Sequence, residues 1–152
     1  MEPQDVKWME RHCRLLMDSY RRATGHALIE PAPGTTAAER LYDAPFALLS
    51  HGVEADPVLN YGNKIALTLW EMDWNAFTTM PSRLTAEPME RDVREAFMDN
   101  VRQKGYSDNY EGVRISGSGS RFRIERAVVW NLIDEGGAYR GQAAMFPSWT
   151  LL

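Results

Sequence analysis

Three histidines, a single cysteine and a surplus of arginine carry most of the chemistry available to this 152-residue chain. His51 lies near Asp56. An imidazole titrates close to neutrality, so His51 can serve as a ligand or an acid–base group, or in its commoner role cap a turn. His12 and His26 are far off in sequence, and no HxH, HxxxH or HExxH spacing occurs. Cys13 has no second cysteine to pair with, which excludes an internal disulfide and argues against a thiolate metal site. No metal centre is therefore expected. No Ser/His/Asp or Cys/His set has the spacing of a catalytic motif.

All but three of the seventeen cations are Arg, the exceptions being Lys7, Lys64 and Lys104. The planar guanidinium favours fixed pairs over loose solvation. Arg83 follows Pro81-Ser82, with Glu87 close by in sequence; its fork suits an anion, and a structural clasp to Glu87 is the favoured reading. Trp70, Trp74, Tyr110 and Trp130 supply aromatic wall for either a core or a cavity. Arg123 and Gln142 are the polar side chains expected, on strand parity, to point into such a cavity. Trp70, Trp74, Arg83, Tyr110, Arg123, Trp130 and Gln142 are accordingly the candidate ligand-binding set. Asn60 and Asn63, flanking Tyr61-Gly62, read as turn and cap formers.

The elements that must position these residues follow from periodicity. Asp5 to Thr24 is expected to be a helix, with Met9, Cys13, Leu16 and Tyr20 in one stripe and Gly25 as its stop. A 3.5-residue seam suits a partner helix as well as a sheet, and Trp8 and Leu15 lie off it. A homodimer through Met9, Cys13, Leu16 and Tyr20 is the expectation. Thr36 can cap a short helix to Tyr42, and Asn63 one over Lys64–Trp70. Phe46–Leu49 and Val58–Leu59 read as short strands. Pro88–Lys104 is a second long helix, with Met89, Val93, Phe97 and Val101 stepping by four on its inner side. Beyond Gly105 the period changes to two, giving strands over Glu111–Ser116, Arg121–Ile133 and Tyr139–Trp149. Gly117-Ser118-Gly119 sits in a hairpin, without the strand-then-helix context of a phosphate loop. Ala127–Trp130 is apolar on both parities, as in a strand covered on both faces.

Composition sets the outer bounds. A 44% apolar and 11% aromatic content is ample for one packed core, and the length suits one domain. A net charge of −4 argues against a nucleic-acid surface. No membrane span and no signal peptide are expected, which makes the cytoplasm the default location.

The strings Leu69-Trp70-Glu71, Pro81-Ser82-Arg83, Tyr110-Glu111-Gly112-Val113-Arg114-Ile115-Ser116, Val128-Val129-Trp130-Asn131-Leu132-Ile133-Asp134 and Gly141-Gln142-Ala143-Ala144 together resemble the MEKHLA domain, a PAS-related family. The resemblance runs from about Trp8 to the C-terminus, although the literal M-E-K-H-L-A run is absent. It implies an α+β, PAS-like fold: a five-stranded antiparallel sheet with helices on one face and an extra N-terminal helix. Residues 1–30 would form that helix, packed on the sheet or a dimer partner, and 31–152 the PAS-like domain. The family also occurs at the C-terminus of plant class III homeodomain–leucine zipper factors. A stand-alone bacterial-type member, without a homeodomain or zipper ahead of the domain, is the expectation. The resemblance implies a sensory or regulatory module that binds a small organic ligand, dimerises, or both, and is not an enzyme; it specifies no cofactor. Two other classes stay open. One is a small NTF2-like enzyme with His51 or Glu71 as base and Tyr110 or Arg123 polarising substrate. The other is a purely structural interaction domain.

Overall fold

A computed structural model describes residues 6–152. Three of the helices begin where a side-chain oxygen accepts from a free N–H, and one begins on a proline, which has no N–H to leave free. α1 (Val6–Thr24) ends at Gly25, whose φ is +79°. α2 (Ala37–Tyr42) opens on a reciprocal capping box between Thr36 and Glu39. β1 (Ala47–His51) and β2 (Leu59–Gly62) form an antiparallel pair. Asn63 then caps α3 (Lys64–Trp70), and Asp73 caps the one-turn α4 (Trp74–Phe77). A 3-10 turn over Ser82–Thr85 leads into α5 (Pro88–Lys104). β3 (Tyr106–Ile115), β4 (Arg121–Ile133), β5 (Tyr139–Phe146) and β6 (Ser148–Leu151) complete the chain.

The strand order is β2-β1-β5-β4-β3, with β6 also on β4. The expected strand over Tyr139–Trp149 is divided at Pro147, which has no amide hydrogen to give the ladder. Its two parts nonetheless pair β4 in one register, Val128↔Met145 on one side of the break and Glu125↔Ser148 on the other. Opposite Pro147 stands Arg126, with φ +52°. At this point each strand spends one additional residue, and the side chains of both change face together. Phe122 and Ile124 lie in the same cluster as Ala127, three residues on, and Trp149 lies with Phe146.

Two apolar layers result. On the outer face α1 lays Met9, Cys13 and Leu16 against Trp130 and Leu132, with Val128 at the margin. On the inner face α3 and α4 cover Ala127, Phe122 and Phe146, and α5 covers Val129. The double apolar parity of Ala127–Trp130 is thus used on both sides. Met9, Cys13 and Leu16, expected to meet a partner chain, are at most 1% exposed within this one. Tyr20, the fourth, packs edge-on against Trp130 with ring centroids 4.9 Å apart. The stripe is satisfied by the sheet, so that seam is not free for a second copy.

Asn63 is the joint of the first half. Its side-chain oxygen accepts from the Leu48 and Ala66 amides at 3.0 and 3.1 Å, and its nitrogen donates to the Leu41 and Phe46 carbonyls. One buried amide therefore ties α2, β1 and α3 together with every bond made.

Candidate functional site

Trp70, at the end of α3, is fully buried and ringed by Phe122, Phe77 and Phe146 at centroid distances of 5.0, 5.9 and 6.3 Å. These rings fill the inner face beneath α3. Trp74 turns away from them and meets Tyr61 edge-on at 5.8 Å. Trp130 lies on the opposite face of the sheet, in the cluster of α1. The tryptophans expected to wall one cavity are therefore distributed over two layers.

The polar members of the candidate set also separate. Arg83 is exposed and pairs with Asp56, its Nε 3.2 Å from both carboxylate oxygens. The Glu87 expected to clasp it accepts instead from Arg121. Arg123 precedes the change of face at Arg126 and is paired across the strands with Val113 and Thr150. Tyr110 stacks on Phe97 of α5 at 3.9 Å and bonds Arg114 through its hydroxyl. Glu71, a residue of the NTF2-like reading, accepts from the hydroxyls of Ser116 and Ser118, fastening the β3–β4 hairpin to the end of α3.

Gln142 is the candidate that faces an opening. On β5 it stands opposite His51 of β1 and donates to the Met98 carbonyl of α5 at 2.8 Å. Arg94, also on α5, joins it, only 6% exposed, whereas neighbouring Val93 is 65% exposed. Of the expected stripe, Val101 faces the sheet and Phe97 packs beside it, whereas Val93 is exposed and Arg94 takes the inward place; the side chain of Met89 lies outside the described residues. The face of α5 toward the sheet is Arg94, Met98 and Val101. Arg94 Nη1 donates to Glu95 at 2.8 Å and Nη2 to Ser82 at 3.3 Å, while Nε has no hydrogen-bond partner. Burial and then the Arg114 charge lower its pKa to about 10. His51 is buried as well, and desolvation followed by the Arg94 charge depresses its pKa against the bond to the Gly52 carbonyl.

Two small spaces adjoin these groups. One, of about 60 Å³, has Ser82, His51, Arg94 and Gln142 in its wall. The other, of about 30 Å³, shares His51, Arg94, Met98 and Gln142 and continues between Leu49, Leu59 and Val129. A larger open groove of about 830 Å³ runs along the outer side of α1 past Trp8, Leu15, Arg22 and Asp134. Among the described residues no three His, Cys, Asp or Glu side chains gather as a metal site, and no helix is long and apolar enough to cross a membrane. Arg94 was missed because a charged residue beside a valine reads as the solvent side of a helix.

Residues 10–151 match the model of the MEKHLA domain. The rice homeobox-leucine zipper protein HOX29 (Oryza sativa subsp. indica) is 27% identical over 144 residues, covering 91% of this chain and 17% of its own length. ATHB-9 of Arabidopsis thaliana, also a homeobox-leucine zipper protein, is 25% identical over 153 residues, again 17% of its length. The chain therefore spans about a sixth of these relatives. Among solved structures, a PAS domain from Colwellia psychrerythraea superposes with a TM-score of 0.63 at 15% identity, over 71% of this chain and 89% of that one. A light-oxygen-voltage domain gives 0.61 at 14% identity over 80% and 88%, and the light-state dimer of the fungal photoreceptor Vivid 0.59 at 14% over 86% and 91%. These likenesses establish the PAS-type fold and displace the NTF2-like one.

Proposed function

Because the chain belongs to the MEKHLA domain family and folds as a PAS domain, we propose that it is a sensory or regulatory module that holds a small ligand between α5 and the sheet. The observation that carries this reading is the polar space under α5, where Gln142, His51 and Arg94 converge beside an apolar extension. Pockets that orient a ligand by a few polar groups against apolar wall are the usual small-molecule sites. The module signals by occupancy and contact; catalysis forms no part of the reading. Of the residues singled out by sequence, Gln142 and His51 belong to the site, and Arg94 and Ser82 join them.

A specific observation also favours association. Val6 and Trp8 stand exposed on α1, beside the groove that runs past Leu15. The dimer surface of this reading is the outer side of α1, in place of the buried Met9–Cys13–Leu16 stripe. Native mass spectrometry of the purified chain tests both parts. The expected spectrum contains a dimer that Trp8→Glu converts to monomer, and a small-molecule adduct that Arg94→Gln releases. A bare monomer at every concentration would remove both parts of the proposal.

A further inference from the structure

The geometry points to Arg94 as the carboxylate-binding residue of a site for short, unbranched monocarboxylates, with the carboxylate in the polar chamber and the alkyl end in the apolar one. This rests on the reading of the α5 space as a ligand site and names its ligand class.

Turning Arg94 inward and Val93 outward costs apolar burial and desolvates a cation. Such an arrangement persists when the buried charge is compensated. The compensation visible is incomplete. Glu95 meets Nη1 from the rim, with half its side chain exposed, the Ser82 contact is long, and Nε is unpartnered. Three neutral groups, the Tyr61 hydroxyl and the Trp70 and Trp130 indoles, also lack partners, but Arg94 alone among these carries a charge. The other buried cation nearby is Arg114, which repels it. At the mouth, Asp99 and Arg102 lie 3.7 Å apart and largely offset one another. An anion on the side of the guanidinium away from Glu95 is the missing member of this set.

Shape selects among anions. Nε and Nη2 lie on one edge of the guanidinium, the edge a carboxylate grips with two parallel N–H···O bonds; Nη2 now holds Ser82 at 3.3 Å and Nε is closed off from solvent, so the ligand would take the place of the Ser82 hydroxyl. The two chambers, of about 60 and 30 Å³, share His51, Arg94, Met98 and Gln142 in their walls and are each small. Their size limits a guest to one as small as acetate or propionate. Beyond the Arg94, His51 and Gln142 that it shares with the first, the second chamber is walled mainly by Leu49, Leu59, Val129, Ala143 and Ala144, which suit a methyl or ethyl group.

The test is thermal unfolding of the full chain at constant ionic strength with sodium formate, acetate, propionate, chloride or phosphate, or with neutral propionamide. Acetate and propionate should raise Tm in proportion to the logarithm of their concentration, and the other solutes should not match them. Arg94→Gln should abolish the shift with the circular dichroism unchanged. Arg94→Lys, which keeps the charge and loses the fork, should weaken apparent affinity about tenfold. Ala144→Val, which narrows the second chamber, should cost propionate more than formate. Equal shifts from phosphate or chloride would overturn the carboxylate assignment. A response to propionamide equal to that of propionate would overturn it too, leaving a neutral-ligand site beneath α5. No response to any solute, with no adduct in the native mass spectrum, would remove the ligand site as well.

Discussion

The inner face of the sheet is covered by α3 and α4 over one half and by α5 over the other, and the two halves are built from opposite materials. Beneath α3, Trp70, Phe77, Phe122 and Phe146 interlock edge to face and are at most 1% exposed. Beneath α5, three apolar residues make the buried cluster, and Arg94, Asn131, Gln142 and His51 occupy the remaining places. Aromatic rings at native packing density leave no room for a guest. Polar side chains with directional bonds cannot collapse onto one another so completely, and the small chambers are found among them. Within this domain, then, the space between helices and sheet is filled differently in its two halves.

The largest test of this contrast is Trp70→Ala. In a filled half it should destabilise by about 3–5 kcal/mol, measured by urea unfolding, and added carboxylate should not restore the loss. A cost under about 1 kcal/mol would mean that the half beneath α3 is loosely packed and that the comparison fails.

The outer face sharpens the comparison, because there a buried titratable group has found its partner. His12, stacked on Trp8 at 4.6 Å, shares a 2.8 Å hydrogen bond with the Ser50 hydroxyl, which in turn donates to Asn60. Burial pushes its pKa down from 6.5 to about 4. Below pH 6.5 the unfolded chain takes up a proton that the folded chain refuses. Stability should therefore be intact above that pH and fall as pH drops toward 4, by about 2–3 kcal/mol. His51 is shifted in the same direction and adds to the slope. Denaturant midpoints between pH 7 and 4 provide the check, and His12→Gln should flatten the curve. An unchanged slope in that variant would assign the dependence to other groups.

The smallest effect is expected at Arg94. Without added carboxylate, Arg94→Met should leave stability unchanged or raise it by about 1 kcal/mol, since an apolar chain of similar length replaces an incompletely paired buried charge. A loss of 3 kcal/mol or more would mean that Glu95 and Ser82 already satisfy the guanidinium. The half beneath α5 would then be structure, like the half beneath α3.

Element positions were legible wherever one residue punctuates the backbone. Gly25 and Gly105 end α1 and α5, and Thr36 and Asn63 cap α2 and α3, within a residue or two of expectation. The beginning of β3 was not, since Tyr106–Tyr110 is largely polar, mostly exposed and broken by Asn109 at φ +56°. Orientation was harder than position. Period-two counting cannot foresee that Arg126 and Pro147 reverse the faces of their strands, which carries Trp130 away from Trp70 and Arg123 away from Gln142. Stepping by four along α5 selects Val93 over Arg94, because hydrophobicity alone gives no reason to bury the charge. The proposed site was hidden where the chain departs from the economy of burial that makes the rest readable.

The paired extra residues at Arg126 and Pro147 also bear on how this sheet can change length. Removing Arg126 alone would throw one strand out of step with its neighbour, placing Phe122 and Ile124 against the wrong partners. Removing both Arg126 and Pro147 would shorten the two strands equally, leaving Ile124 opposite Trp149 and Ala127 opposite Phe146 with every inward side chain still inward. In this part of the chain, viable deletions come in complementary pairs, and a change at either position is constrained by the other, twenty-one residues away in sequence.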